Sequence, residues 1–248
     1  SFSYPSASLS FVLSEAVSLP NIISFAKVRG AISQGASDLD PYQLSPTYAI
    51  SRGFLNVIST TGPSILFDPK IRPEFVTSNE FGFDLKLLNN RIGIEWAAYT
   101  KNITDQILDL PVPGATGYAF KKVNAGEVES KGFELMISGS PVQTSEFQWN
   151  IMINYATNET KLIELVPGVE RLLLQSDESS RAIRIVADEG ELLGNIYGRD
   201  YQRDDNGSIV VDAAGIPLKA GDKNTLMGNT QQDFNMGFIN DFTYRGIN

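Results

Sequence analysis

The amino-acid sequence predicts an all-β chain, an antiparallel meander of about seven strands that forms a partial segment of a large transmembrane β-barrel with long extracellular loops. Three observations carry this. Apolar and polar residues alternate over segments of up to ten positions, the signature of an extended strand with two different faces. The faces opposite the apolar ones hold formal charges. The connections between segments alternate between short and long.

Near the start, Leu9, Phe11 and Leu13 share one face. In the next segment Ala26, Val28, Gly30 and Ile32 lie opposite Lys27, Arg29 and Ser33. Thr77 to Leu87 sets Phe81, Phe83, Leu85 and Leu87 against Ser78, Glu80, Gly82, Asp84 and Lys86. Asn89-Asn90 supplies a tight turn. Ile92, Ile94, Trp96 and Ala98 then alternate with Arg91, Gly93, Glu95 and Ala97. Phe133, Leu135 and Ile137 face away from Gly132, Glu134, Met136 and Ser138.

Phe147 to Ala156 is the clearest segment. Phe147, Trp149, Ile151, Ile153 and Tyr155 form one face, and Gln148, Asn150, Met152, Asn154 and Ala156 the other. Ten residues exceed the five or so usual for a globular strand. Aromatics at both ends of the apolar face, with aliphatics between, match a lipid-facing strand with a girdle at each interface. A last segment sets Phe234, Met236, Phe238 and Phe242 against Asn235, Gly237, Ile239, Asp241 and Thr243, less cleanly.

The connections run short (Ser14–Ile22), long (Gln34–Pro73), short (Leu88–Asn90), long (Asn102–Gly126), short (Gly139–Glu146) and very long (Thr157–Gln232). Outer-membrane barrels join their strands in this way, with short periplasmic turns and longer extracellular loops. A soluble β-sandwich has charges on its outer face too, but no reason to gather its long loops at one end. That alternative, a carbohydrate-binding or adhesin module, requires two packed sheets with Trp96 and Trp149 buried between them. Seven strands is an odd number, and Ser1 is not an initiator methionine. Residues 1–248 are therefore expected to be an internal stretch of one barrel domain.

Composition narrows the function classes. The chain lacks His and Cys altogether, which removes the commonest general base, thiol nucleophiles, disulfides and Cys/His zinc sites. A net charge of −9 argues against a partner read through its phosphates, so no nucleic acid is expected. No run of 18 apolar residues is present, which excludes a transmembrane helix and leaves a β-barrel untouched. Asp204-Asp205-Asn206-Gly207 resembles part of a calcium loop, but the EF-hand register places Gln202 at the first ligand position. A turn is the better reading. Asp38 and Asp40 read as a solvated pair. Glu80, Asp84, Glu95 and Glu134 read as the polar lining of a lumen rather than as the paired acids of a glycosidase. No catalytic residue, metal or cofactor is expected. Three Asn-x-Ser/Thr sequons, at Asn102, Asn158 and Asn206, carry no weight in a barrel.

Several phrases resemble the SusC/RagA family of TonB-dependent outer-membrane transporters. They are Phe25-Ala26-Lys27-Val28-Arg29-Gly30-Ala31, Ile71-Arg72-Pro73-Glu74 with Ser78 to Asp84, and Asn89-Asn90-Arg91-Ile92-Gly93. Further along come Tyr99 to Leu108, Asn124 to Leu135, and Gly194-Asn195-Ile196-Tyr197-Gly198. The phrases are ordered, correctly spaced and spread over most of the chain. One departure is Ile32, where the family strand carries an aromatic residue. The resemblance implies uptake of glycan or peptide fragments across the bacterial outer membrane, with outer-membrane lipid around the barrel. It also implies a SusD-like surface lipoprotein as partner and energy from the TonB complex. TonB would be contacted through a plug region that this stretch lacks, as it lacks the last barrel strands. Loops on a rigid scaffold usually carry binding, so Tyr118, Phe120, Tyr197 and Tyr201 are the candidate substrate-stacking residues.

Overall fold

The computed structural model describes residues 3–38, 47–52, 58–177, 183–221 and 225–247. Asp40, and with it the Asp38–Asp40 pair, lies outside the described residues.

Strand β1 (Ser6–Val12) runs into one helical turn, α1 (Leu13–Ala16), and the chain returns as β2 (Ile23–Ser37). Leu13, expected on the first strand's apolar face, instead opens that turn. Three short strands follow, β3 (Ala49–Arg52), β4 (Ile58–Thr61) and β5 (Ile65–Phe67). A hairpin of β6 (Glu74–Leu87) and β7 (Ile92–Thr104) turns through Leu88, Asn89 and Asn90, all at positive φ. Next come β8 (Ile107–Pro111) and β9 (Phe120–Asn124), then a second hairpin of β10 (Glu127–Gln143) and β11 (Phe147–Glu164). The last connection holds β12 (Arg171–Asp177), β13 (Ile183–Asp188), β14 (Asn195–Gly198) and β15 (Thr225–Asn229), before β16 (Asn235–Tyr244).

Among the described residues, seven strands form one sheet in the order β1-β2-β6-β7-β10-β11-β16, every pair antiparallel. This is the meander expected. Its register explains the sequence pattern. Phe11, Val28, Phe83, Trp96, Leu135, Tyr155 and Met236 stand side by side across all seven strands. One residue along, the row reads Ser10, Arg29, Gly82, Ala97, Glu134, Ala156 and Asn235. Successive side chains point to opposite faces, so one face is apolar from edge to edge and the other is polar or small. A further apolar row runs Ala26, Leu85, Ile94, Ile137, Ile153 and Phe238.

The apolar face is bare. Phe81, Met236, Phe238 and Phe242 are each more than half exposed. Neighbouring aromatics stack on it, Phe83 on Trp96 at 5.6 Å and Trp149 on Phe242 at 5.8 Å between ring centroids. Cross-strand pairs of this kind contribute roughly 0.2–1 kcal/mol each. Trp149 also donates its indole N–H to Asn240 Oδ1 at 3.1 Å. Phe147 to Tyr155 covers about 27 Å along the strand at about 3.4 Å per residue. A tilt of about 40° reduces this to roughly 20 Å, near the height of a barrel's apolar band. Trp96 and Trp149 lie on this open face and neither is buried, so the sandwich alternative is not favoured.

The opposite face holds the charges in a network. Lys27 pairs with Asp84 at 2.6 Å, and Arg29 reaches toward Glu80 (3.5 Å) and Asp84 (3.7 Å), ion pairs too long to be hydrogen bonds.

The strands outrun the sequence expectation. β11 continues eight residues past Ala156, and β10, which starts at Glu127 directly after the expected connection, runs on five residues past Ser138 to Gln143. A barrel strand needs about 9–11 residues to span the bilayer, so strands of 17 and 18 residues project beyond it. There one face no longer turns to lipid, since Val128 and Leu162 pack against loop residues instead, and the alternation that marks a membrane strand in sequence disappears.

Candidate functional site

The long connections all leave the same end of the sheet, and their described parts are tied to one another. A polar knot joins the first two. The Asn124 side chain accepts from the Arg72 backbone N–H (2.7 Å) and donates to the backbone carbonyls of Arg72 (2.7 Å) and Asp105 (2.8 Å). Arg72 also donates to Asp105 Oδ1 at 2.6 Å, and Glu74 accepts from the Ile107 N–H at 2.7 Å. Around this knot β5 pairs parallel to β9, and β9 antiparallel to β8. Arg72, Asp105 and Asn124 belong to three separate phrases of the family resemblance. Their shared task is to fix two loops to each other and to the wall.

The third connection is held by packing. Val128 and Leu162, near the tops of β10 and β11, are buried with Leu165 and Ala187, and Leu108, Val169, Leu172 and Leu193 pack around them. This is where the described chain buries its core. Gln231 adds a polar tie, its side chain accepting from the Thr160 N–H (2.7 Å) and donating to the carbonyls of Thr160 and Leu193 (both 2.7 Å).

From this base residues 200–220 extend as an arm. Within it Gln202 N–H donates to the Leu218 carbonyl, Leu218 N–H to Val210, and Val210 N–H to Gln202, closing a three-sided ring. The ring members are eight residues apart, and so are the two turns between them. Asp204 Oδ1 accepts from the N–H groups of Asn206 and Ser208, with Gly207 at φ 83°. Asp212 Oδ1 does the same for Ala214 and Ile216, with Gly215 at φ 79°. Asp204 is thus engaged in a turn, and no group of three or more metal-ligating side chains occurs among the described residues. Sequence reasoning found the first turn and missed its repeat, which the Asp-x-x-Gly spacing shows.

The candidate aromatics are not brought to one place. Tyr118 is half-buried and Phe120 is 41 % exposed, both in the second connection. Tyr197 sits on β14 with the Arg171 guanidinium 4.6 Å from its ring centre. Arg171 in turn makes two hydrogen bonds to Asp188, so one face of the Tyr197 ring is already occupied. Burial, and then the Asp188 carboxylate, push the Tyr197 hydroxyl pKa up. Tyr201, 46 % exposed, stands at the foot of the arm. The carboxylates Glu80, Asp84, Glu95 and Glu134 all share the polar face. Glu95 and Glu134 line a cavity of about 290 Å³ with Arg29, Asn154 and Asn235.

Residues 1–187 match a family described as TonB dependent receptor-like, beta-barrel. TonB-dependent receptor P26 of Formosa agariphila is 24 % identical over 274 aligned positions, covering 98 % of this chain and 27 % of that protein. TonB-dependent receptor SusC of Bacteroides thetaiotaomicron is 26 % identical over 176 positions, covering 66 % of this chain and 17 % of its own length. Among solved structures, the RagAB peptide importer in its open-open state superposes with a TM-score of 0.76 at 15 % identity. That match covers 98 % of this chain and 27 % of the RagAB chain, and at that identity it speaks for the fold alone. The chain thus spans between 17 % and 27 % of the length of these proteins.

Proposed function

The chain belongs to the TonB-dependent receptor-like β-barrel family, and from that premise we propose that it supplies wall and mouth to a bacterial outer-membrane nutrient importer. The observation that carries this is the register of the wall, one face apolar across seven strands and the other charged, with every long connection at one end. Such a wall separates lipid from a polar passage, and the loop layer sits where a substrate would arrive.

In this reading residues 1–248 all belong to one barrel domain; the pairing of β16 with β11, beyond the matched residues, supports it. The cargo is an oligosaccharide or peptide fragment met first by the loop aromatics Tyr118, Phe120, Tyr197 and Tyr201, of which Phe120 and Tyr201 are the exposed ones. A surface lipoprotein of the SusD kind closes over the mouth, and TonB drives the cycle through segments outside this stretch. Similarity to the TonB-dependent receptor SusC supports the coupling to TonB. The chain itself breaks and makes no covalent bond.

Deleting the gene for the full-length protein is expected to abolish uptake of one class of labelled fragment, glycan or peptide, and the intact gene to restore it. The full-length protein is expected in the outer-membrane fraction, released only by detergent. A parent protein that stays in solution without detergent would contradict the proposal.

A further inference from the structure

The three-stranded sheet of the first two loops has one closed edge and one open edge. Its central strand β9 pairs with β8 on one side and with β5 on the other. On the β8 side the Ala125 N–H donates to the Gln106 carbonyl (2.6 Å) and the Val112 N–H to the Ala119 carbonyl (3.1 Å). Alternation between these bonds turns the backbone groups of Ile107, Asp109 and Pro111 away from β9. There Glu74 already accepts from the Ile107 N–H at 2.7 Å, and Pro111 has no N–H to give. Native sheets blunt an edge by such means.

The β5 edge is not blunted in this way. The Phe120 N–H donates to the Ser64 carbonyl at 3.2 Å, and the Asp68 N–H to the Lys122 carbonyl at 3.3 Å. Ser64, Leu66 and Asp68 therefore face β9, while the N–H and carbonyl groups of Ile65 and Phe67 point away from it. Among the described residues none of these groups meets a backbone partner. Donor and acceptor recur along this edge every second residue, about 6.7 Å apart. An extended peptide repeats its own N–H and carbonyl at that spacing. The hydroxyls of a sugar ring do not. The side chains beside the edge form two rows. Ile65, Phe120 and Pro111 make an apolar row, and Phe67 stands next to the Lys122–Asp109 ion pair of 2.8 Å.

We infer that the open edge of β5 takes an extended peptide as a fourth strand of this sheet, so that the cargo is peptide and is held by its main chain. The inference rests on the reading of these loops as the mouth of an importer, and it chooses between the two cargo classes that reading allows. Recognition through the main chain tolerates many sequences. An apolar side chain is favoured beside Ile65 and Phe120. The Phe67 N–H takes no part in the pairing with β9, so Phe67→Pro removes a donor from the edge and leaves the sheet's own bonds in place.

Fluorescence anisotropy of the full-length protein in detergent, with fluorescein-labelled tryptic peptides of casein as the probe, tests it. Phe67→Pro is expected to weaken peptide binding about tenfold, through one lost hydrogen bond and the bulk of the proline ring against the incoming strand. Phe67→Val keeps the N–H and is expected to stay within about twofold of wild type. Unlabelled maltoheptaose is expected not to compete. A bound peptide, resynthesised with N-methyl groups on alternate residues, supplies a readout on the wild-type protein alone. Methylation in one register is expected to abolish binding, and in the other to leave it unchanged. Equal binding in both registers, no binding of any casein peptide, or displacement of the peptides by maltoheptaose would overturn the inference. So would unchanged binding by Phe67→Pro. Each of these results leaves the outer-membrane reading standing, whereas a full-length protein soluble without detergent would remove that reading itself.

Discussion

Replacing Ile153 with arginine is expected to destabilise the barrel by about 2–4 kcal/mol, while Asn154→Arg, one residue along, changes stability little. The two positions differ only in face. Ile153 stands between Ile137 and Phe238 in the middle of the apolar band. An arginine there must either leave its guanidinium in hydrocarbon or drag water and headgroups toward it. Asn154 stands between Met136 and Gly237 and lines the same polar cavity as Arg29, Glu95 and Glu134. A guanidinium there keeps its water and gains two carboxylates. Urea unfolding of the full-length protein in vesicles, followed by tryptophan fluorescence, measures both. Equal costs would mean that the two faces of β11 meet the same solvent.

Gly132→Val is expected to cost about 1–3 kcal/mol or more, the range for forcing bulk into a closed space. A Cβ at Gly132 would lie 2.3 Å from the Thr157 carbonyl oxygen and 2.6 Å from the Tyr99 hydroxyl. Tyr99 lies across the glycine to donate a hydrogen bond to Asn158 Oδ1 at 3.1 Å. The tyrosine is able to swing away, giving up roughly 0.5–1.5 kcal/mol for that bond. The Thr157 carbonyl belongs to the paired strand and moves only if the β10–β11 register breaks. Gly237→Val is the control, because its Cβ would meet nothing nearer than the Asn154 amide at 3.7 Å. Thermal unfolding in detergent should show a lowered transition for the first variant and little change for the second. Similar transitions would remove the close approach at Gly132 as a constraint on register.

The wall was legible because a bilayer imposes a period of two on every strand that crosses it. Phe147 to Tyr155 reads as a membrane strand without any neighbour, and the same alternation in the other six gives their faces and order. What lies above the bilayer was not legible. Thr157 to Glu164 continues β11, yet it packs against loop residues through Leu162 rather than against lipid, and no alternation is left there to read. The knot of Arg72, Asp105 and Asn124 is invisible for another reason, since its members lie up to 52 residues apart and meet only once both loops fold. Those residues stood within the phrases that carried the family resemblance, so the signal was present while its physical meaning was not. The candidate aromatics were chosen by type and loop position alone. Nothing in the sequence shows that Arg171 occupies one face of Tyr197 while Phe120 and Tyr201 stand open.

Single-cysteine accessibility along Phe147 to Ala156, in a cysteine-free background of the full-length protein in its membrane, distinguishes a wall between lipid and a polar passage from a sheet with water on both faces. These 248 residues contribute no cysteine of their own. Strict alternation is expected. Cysteines at Gln148, Asn150, Met152 and Asn154 react with a water-soluble thiol reagent. Those at Trp149, Ile151, Ile153 and Tyr155 stay unreactive, and a label placed there is quenched by brominated lipid chains. Equal reaction at both sets, with no quenching by lipid, would contradict it.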